Sequence, residues 1–202
     1  SLILIVKMWT SRLESHMRRF TIVAVCMGLL FTAEFVSAQR VKQLGRSIVE
    51  FRSPDVKAVA AYEYSRRNHS GEWLLIELAV QAQKRIAIHR NQIALLTADE
   101  RKIPLGMQQE FLDSHEMLNG LLQNAKIWRR PLSPYFTTRL VDTIRFFSYP
   151  GRTVQDSFVT NPDEVAAGDL FFKSTGGGWA SGAYRLVMSH PDAKAELPIE
   201  LD

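Results

Sequence analysis

The chain has 202 residues, of which 46% are hydrophobic and 23% charged, and it contains one cysteine. This composition excludes a disordered chain, a disulfide-stabilised scaffold and a fibre with a glycine or proline period. The formal net charge of +4 is too small to indicate nucleic-acid binding, and no nucleic-acid partner is predicted.

The first predicted element is a signal peptide over residues 17–38. Arg18 and Arg19 precede an uncharged run of 14 residues, 20–33, and the segment closes on Val36-Ser37-Ala38. A positive start, a short apolar run and a small-residue cleavage site are the three parts of a secretory signal. The sequence therefore predicts a periplasmic or secreted protein.

Cleavage is expected between Ala38 and Gln39, with Met17 as the start and residues 1–16 as upstream readthrough. It leaves a single domain, 39–202, with 164 residues, no cysteine and a formal net charge of +2. Membrane contact is then confined to the signal segment before cleavage. The alternative is an uncleaved anchor, although the 14-residue apolar run is shorter than the roughly 20 residues that span a bilayer.

Period-two patterns dominate the first half of the predicted domain. Residues 74–80 alternate as a strand with at least one buried face, and 56–64 form a strand before it. The polar segment 66–71 between them predicts a hairpin turn. Two further short strands are expected at 85–89 and 92–97.

The period then changes to that of an amphipathic helix over about 107–125. Its apolar positions are Met107, Phe111, Leu118, Leu121, Leu122 and Ala125. Gly120 lies inside this pattern and costs about 1 kcal/mol relative to alanine. We therefore expect a break or a close backbone approach at Gly120.

Strands return after the helix. They are predicted at 141–149, 169–173, 183–189 and 196–201, with a polar connection over 150–168. In the last strand, Leu197, Ile199 and Leu201 share one face and Pro198 lies on the other. Because proline lacks a backbone donor, this strand is expected at a sheet edge or with a bulge.

Seven to nine short strands predict a mainly β protein, a β-sandwich with one inserted amphipathic helix. Its order of segments is similar to that of exported bacterial immunoglobulin-like β-sandwich domains of unknown function, over residues 56–201. The segments that carry the resemblance are 72–78, 92–99, 168–172 and 184–187. The resemblance implies an immunoglobulin-like sandwich, an envelope or secreted location, and a binding or structural role without catalysis.

An arginine–aromatic cluster follows the helix and is the main candidate for partner binding. It contains Trp128, Arg129, Arg130 and Tyr135. Arginine and aromatic side chains are enriched in binding hot spots, so an envelope protein or glycan is the expected partner. The alternative is that Trp128, Tyr135 and Phe136 cover the core where the helix rejoins the sandwich.

Trp179 is a second candidate for partner binding, because it follows three glycines at 176–178. We expect these glycines to form a hairpin turn that exposes Trp179 at its tip. The glycines do not match a phosphate-binding loop, which needs a following Gly-Lys and a helix.

No catalytic residue, metal site or cofactor is predicted. The segment 113–116 combines Asp, Ser, His and Glu, yet neighbouring helical residues diverge by about 100° and we expect a solvated face. The histidines beyond the predicted cleavage site lack metal-ligand spacing. The alternative function is a periplasmic hydrolase with a site assembled from distant residues, involving His115 or His190.

Overall fold

Twelve strands in three sheets form most of the backbone over residues 40–149 and 153–202, which this computed structural model describes. The predicted signal peptide, the readthrough segment and the cleavage site lie outside the described residues. The first six strands are β1 (Arg40–Gln43), β2 (Ile48–Arg52), β3 (Val56–Ala61), β4 (Trp73–Ala82), β5 (Ile86–His89) and β6 (Ile93–Leu96). The other six are β7 (Lys102–Pro104), β8 (Leu140–Ile144), β9 (Ser157–Thr160), β10 (Val165–Lys173), β11 (Gly182–His190) and β12 (Ala193–Leu201).

Three helices accompany the strands. They are α1 (Glu63–Arg67), α2 (Gln108–Asp113) and α3 (His115–Trp128), with short 3₁₀ turns at Arg90–Gln92 and Ser133–Tyr135. Within the described residues, no helix has the length and apolar character needed to cross a membrane.

The sheets pair as a sandwich. A six-stranded sheet has the order β1-β2-β3-β4-β10-β8 and a four-stranded sheet the order β12-β11-β6-β7, while β5 and β9 form a separate pair. All pairings are antiparallel except that of β8 with β10. The predicted fold class, a mainly β sandwich with a small helical insertion, is confirmed.

The core between the two large sheets is built from alternate residues of their strands. On β4 these are Leu74, Ile76, Leu78 and Val80, and on β12 the residues Leu197, Ile199 and Leu201. Each is at most 2% exposed. Burying a side chain of this size stabilises a fold by roughly 1.5–3 kcal/mol, so this alternation fixes which face of each strand points inward.

The outer face of the six-stranded sheet is covered as well. Trp73 and Leu75 of β4 pack there against Phe111 of α2 and Leu118 of α3, together with Phe171 of β10. The ring centroids of Phe111 and Phe171 are 5.2 Å apart. The helical insertion is therefore a third layer, and β4 is buried on both of its faces.

Several boundaries differ from the sequence-based expectations. β3 and β4 pair as expected, but α1 replaces the simple turn between them. β8 ends at Ile144 rather than at 149, because the chain then turns Phe146 into the core. The polar connection 150–168 contains β9 and the start of β10. The strands β1, β2 and β7 were also not predicted, so the structure has twelve strands where seven to nine were expected.

The predicted helix is broken at Ser114 and not at Gly120. Ser114 has φ −99° and ψ 15°, and it separates α2 from α3. Serine hydrogen-bonds nearby backbone groups and favours helix ends over helix interiors. Gly120 is exposed, and a Cβ added there would meet nothing within 4 Å.

β12 is an edge strand, as its proline indicated. It pairs only with β11 in its sheet, where Pro198 lies opposite Arg185. Its residues alternate strictly between buried and exposed from Ala193 to Leu201. An edge strand tolerates proline because one of its two sides needs no backbone donors for the ladder.

Two glycine substitutions should have opposite effects on stability. Gly120→Ala should raise the free energy of unfolding by about 1 kcal/mol, because the helix gains propensity at no steric cost. Gly168→Ala should lower it by about 2 kcal/mol, because its Cβ would lie 2.3 Å from the Ile144 carbonyl oxygen. Urea unfolding of both variants measures the difference, and equal effects would contradict the packing of β8 on β10.

Candidate functional site

The outer face of the six-stranded sheet carries an open cleft of about 940 Å³. β4, β10 and β8 form its floor, the chain after α3 forms one wall, and the chain after β8 forms another. Its charged lining residues are Glu77, Arg129, Arg130, Asp142, Arg145 and Asp169. The cleft is thus shaped by the helical insertion and not by the sandwich core.

Strand register places two carboxylates side by side on this floor. Glu77 of β4 lies directly opposite Asp169 of β10, and neighbouring β8 brings Asp142 into the same cleft. Like charges directly opposite each other on a sheet are destabilising. The pair therefore requires a nearby cation.

Arg129 is that cation. It follows α3 directly, where its backbone N–H donates to the Ala125 carbonyl. Its Nη2 donates to Asp169 Oδ2 at 2.5 Å, and its Nε lies 3.5 Å from Glu77 Oε1. Burial by itself would lower the pKa of Arg129, but the carboxylates Asp169, Glu77 and Asp142 reverse this and raise it.

One guanidinium does not offset the cost of burying these carboxylates. Burial raises the pKa of Glu77 from 4.5 to about 7, against the opposing effect of Arg129, and Asp169 raises it further. Burial raises the pKa of Asp169 as well. Near neutral pH the site therefore exchanges a proton, and it can donate or accept hydrogen bonds through Glu77.

Aromatic rings form the apolar side of the cleft. Phe111, Phe147 and Phe171 pack with ring centroids 5.2 Å apart in each pair. Tyr149 extends this cluster towards solvent, and its Oη donates to Asn119 Oδ1 at 2.8 Å. Apolar surface and buried charge thus lie next to each other, as in ligand pockets in general.

The structure separates the predicted arginine–aromatic cluster into two groups. Arg129 and Arg130 line the cleft, and the neighbouring Trp128 is 41% exposed with the Arg67 guanidinium 5.7 Å from its ring centre. Tyr135 is instead half-buried. It packs with Phe136 and Leu132 in a second hydrophobic cluster, separate from that of Phe111. The alternative of a core-covering role therefore holds for Tyr135 and Phe136 and not for Trp128.

The expectation that Trp179 is exposed is wrong. Trp179 is 7% exposed, its ring packs against Tyr184, and its Nε1 donates to the Glu72 carbonyl at 3.1 Å. The glycine-rich segment is also not a hairpin, because it connects β10 and β11, which belong to different sheets. This crossing turns Trp179 inward, where it lines a second cleft of about 800 Å³.

The histidines proposed for a hydrolase lie away from the carboxylate cleft. His115 Nδ1 faces the Leu112 carbonyl at 3.2 Å, and His190 Nδ1 accepts the backbone N–H of Asp192 at 3.1 Å. Asp113 accepts a hydrogen bond from Gln109 on the exposed side of α2. In the part of the chain that the structure describes, no cluster of three or more His, Cys, Asp or Glu residues is arranged to hold a metal ion.

Sequence reasoning missed Glu77, Asp142 and Asp169. A signal for the first and the last was present, since each is the one charged residue within a long apolar stretch of its strand. Charged side chains are seldom buried unless they are paired, so such positions mark paired or functional groups. Their mutual proximity depends on strand register, which the pattern leaves undetermined.

Comparisons of the chain with protein-family models, with curated proteins and with solved structures find no match. The case for function therefore depends on the cleft itself.

Glu77→Gln should remove a pH dependence of stability. Between about pH 4.5 and pH 7 the folded protein holds a proton on Glu77 that the unfolded chain has released, so wild-type stability falls as pH rises through this range. Glutamine carries no such charge, and at pH 8 the variant should be more stable by on the order of 2 kcal/mol, with little difference at pH 5. Urea unfolding from pH 5 to pH 8 measures this difference in the free energy of unfolding.

The exposed Glu116→Gln on α3 is the matched control and should follow the wild-type curve. Parallel curves for wild type and Glu77→Gln would contradict the assignment of the raised pKa to Glu77.

Proposed function

We propose that this chain is an exported, non-enzymatic β-sandwich domain, periplasmic or secreted, that binds an envelope partner in the cleft on its outer sheet face. The observation that carries the proposal is the arrangement of three carboxylates, Glu77, Asp142 and Asp169, around the guanidinium of Arg129 on the cleft floor. Arg130 lines the cleft, and Trp128, two residues before it in the chain, is 41% exposed; we term these two predicted partner-binding residues the rim residues.

Stability alone does not account for this arrangement. A structural ion pair needs one carboxylate for Arg129, and Asp169 already supplies it at 2.5 Å. Glu77 adds a second carboxylate whose raised pKa reflects a cost to the folded state. Groups that cost stability in an open cleft are characteristic of binding and catalytic sites.

The floor favours a partner with a cationic group. A lysine or arginine side chain of an envelope protein, or an amino group of a glycan, would supply further positive charge to Glu77, because Arg129 is shared with Asp169. The aromatic wall offers apolar contact beside that charge, and the exposed ring of Trp128 adds a rigid surface at the rim. Arg130 at the rim would select for an acidic group elsewhere on the partner.

The immunoglobulin-like classification belongs to the same proposal. Two packed, mostly antiparallel sheets and the edge position of β12 support it. The helical insertion over the outer sheet face is the feature that departs from a plain immunoglobulin-like domain, and it is the part that forms the cleft.

A hydrolase remains the second candidate, now with a different set of residues. A carboxyl group with a pKa of about 7 suits general acid–base catalysis near neutral pH, and Glu77 lies beside a second carboxylate on Asp169. Turnover of a bound ligand, lost in Glu77→Gln, would favour this candidate over simple binding.

The rim variant Trp128→Ala/Arg130→Ala should lose its partner. Pull-down from envelope extract should recover a partner with wild type and with the control Lys194→Ala, which changes an exposed residue on the four-stranded sheet. Titration of that partner should then show at least tenfold weaker binding to the rim variant and to Glu77→Gln. Equal binding by all four proteins would exclude the cleft as the site.

The proposed export of the protein can be tested separately from partner binding. The segment 17–38 supports cleavage after Ala38, because it combines the basic, apolar and small-residue parts of a signal. N-terminal sequencing of the protein recovered from the periplasm or medium should begin at Gln39. A protein that keeps residues 20–33 and stays with the membrane would instead support the anchored alternative.

A further inference from the structure

The last turn of α3 presents two adjacent apolar side chains to solvent. Ile127 is 81% exposed, more than any other large hydrophobic residue in the described part of the chain, and Trp128 is 41% exposed. A single exposed apolar side chain is ordinary, whereas neighbouring ones mark surfaces that contact something else. The pair at the end of α3 is therefore a candidate interaction surface.

The exposure of Ile127 follows from how α3 packs on the sheet. Leu118 and Ala125 are buried and hold one side of the helix against the outer sheet face. A helix turns by about 100° per residue, so Ile127 lies about 200° around the axis from Ala125 and points away from the sheet. The chain leaves the helix in an extended conformation at Arg129. Ile127 therefore stays in solvent as long as α3 remains packed.

Three cations surround this apolar pair. Lys126 and Arg130 flank Ile127 and Trp128 in the chain, and the Arg67 guanidinium of α1 lies 5.7 Å from the Trp128 ring centre. All three cations are exposed, and none of them forms an ion pair in the part of the chain that the structure describes. We call these five residues the helix tip.

The acidic groups of α3 and of the cleft do not neutralise the helix tip. Glu116 is the one acid on α3, and it lies eleven residues before Ile127, about 16 Å along the helix axis. Glu77 and Asp169 on the cleft floor are bound by Arg129, which for that reason is not part of the helix tip. The charged side chains of the helix tip are therefore all basic, and they surround an apolar centre.

We propose that the helix tip binds the surface of a membrane that contains anionic lipids. Ile127 enters the apolar region, Trp128 lies at the membrane interface, where tryptophan is enriched, and the three cations contact headgroup phosphates. A fluid bilayer accepts a protruding side chain without a preformed pocket. A protein partner would need a pocket shaped to bury Ile127.

This inference goes beyond the cleft and its proposed partner. Arg67, Lys126 and Ile127 do not line the cleft, so membrane contact and partner binding can be tested on different residues. The sequence alone predicts membrane contact only through the signal segment. The helix tip adds a contact that the folded domain makes.

Tryptophan fluorescence tests the contact with lipid. Trp128 is exposed, whereas Trp73 and Trp179 are buried, and the difference in emission between wild type and Trp128→Phe isolates Trp128. Vesicles of phosphatidylcholine and phosphatidylglycerol in equal parts should shift this difference emission to shorter wavelength, and brominated acyl chains should quench it. Because only Trp128 is reported, the readout is the same whether or not the signal segment is present.

Two results of the fluorescence experiment would overturn the proposal. One is a difference emission that these vesicles leave unchanged. The other is a shift that appears without lipid as the protein concentration rises, because it would assign the helix tip to contact between copies of the chain.

The apolar centre is tested by Ile127→Ser in co-sedimentation of the exported protein with the same vesicles. The variant should bind at least about fivefold more weakly, because it loses the side chain that enters the apolar region. Met107→Ser is the matched control, since Met107 is 63% exposed and lies outside the helix tip. It should bind as wild type does, and equal binding by all three proteins would contradict the proposal.

The cations are tested by the charge reversal Arg67→Glu/Lys126→Glu. This variant should bind the same vesicles at least about tenfold more weakly, with no such difference on vesicles of phosphatidylcholine alone. The matched control Lys102→Glu/Lys194→Glu changes the net charge equally, at exposed positions of the four-stranded sheet, and should lose much less. Equal losses in the two variants would reduce the effect to net charge and exclude the helix tip as the membrane contact.

Discussion

Burial of β4 on both of its faces is the constraint on which the rest of the structure depends. Leu74 and Ile76 face the four-stranded sheet, whereas Trp73 and Leu75 face the helical insertion. A two-layer sandwich would leave the second pair in water and forfeit several kcal/mol of hydrophobic stabilisation. The insertion between β7 and β8 is therefore part of the fold, because it provides the third layer that this strand requires.

The same constraint explains the chemistry of the cleft. The strand that buries these apolar residues also carries Glu77, and strand pairing sets it opposite Asp169. Arg129, at the end of the helix that covers the strand, reaches both carboxylates. The helical layer thus supplies both the apolar cover and the compensating cation, and its incomplete closure leaves the carboxylates in contact with solvent. The proposed partner would bind at this opening of the third layer.

The sequence predicted the regular elements better than the site. Alternation in β12 predicted its buried face, and Pro198 predicted an edge strand or a bulge, because both are properties of a single strand. The helix was predicted, but its break was expected at Gly120, because glycine has a low helix propensity. The break instead lies at Ser114, which separates α2 from α3. The exposure of Trp179 was predicted from its glycine neighbours, and it failed because the loop crosses between two sheets and folds the ring inward.

By itself, the sequence determined the mainly β class, most of the strands and the amphipathic insertion, and it singled out Arg129 and Arg130, because these depend on local periodicity and composition. Only the tertiary structure decided that Glu77 meets Asp169 and Arg129, since residues so far apart in the chain come together through strand register. It likewise decided that Trp179 is buried, because its Nε1 donates to the carbonyl of Glu72, a residue far away in the sequence. A period in the sequence specifies which face of an element is buried, and it leaves open which element lies against that face.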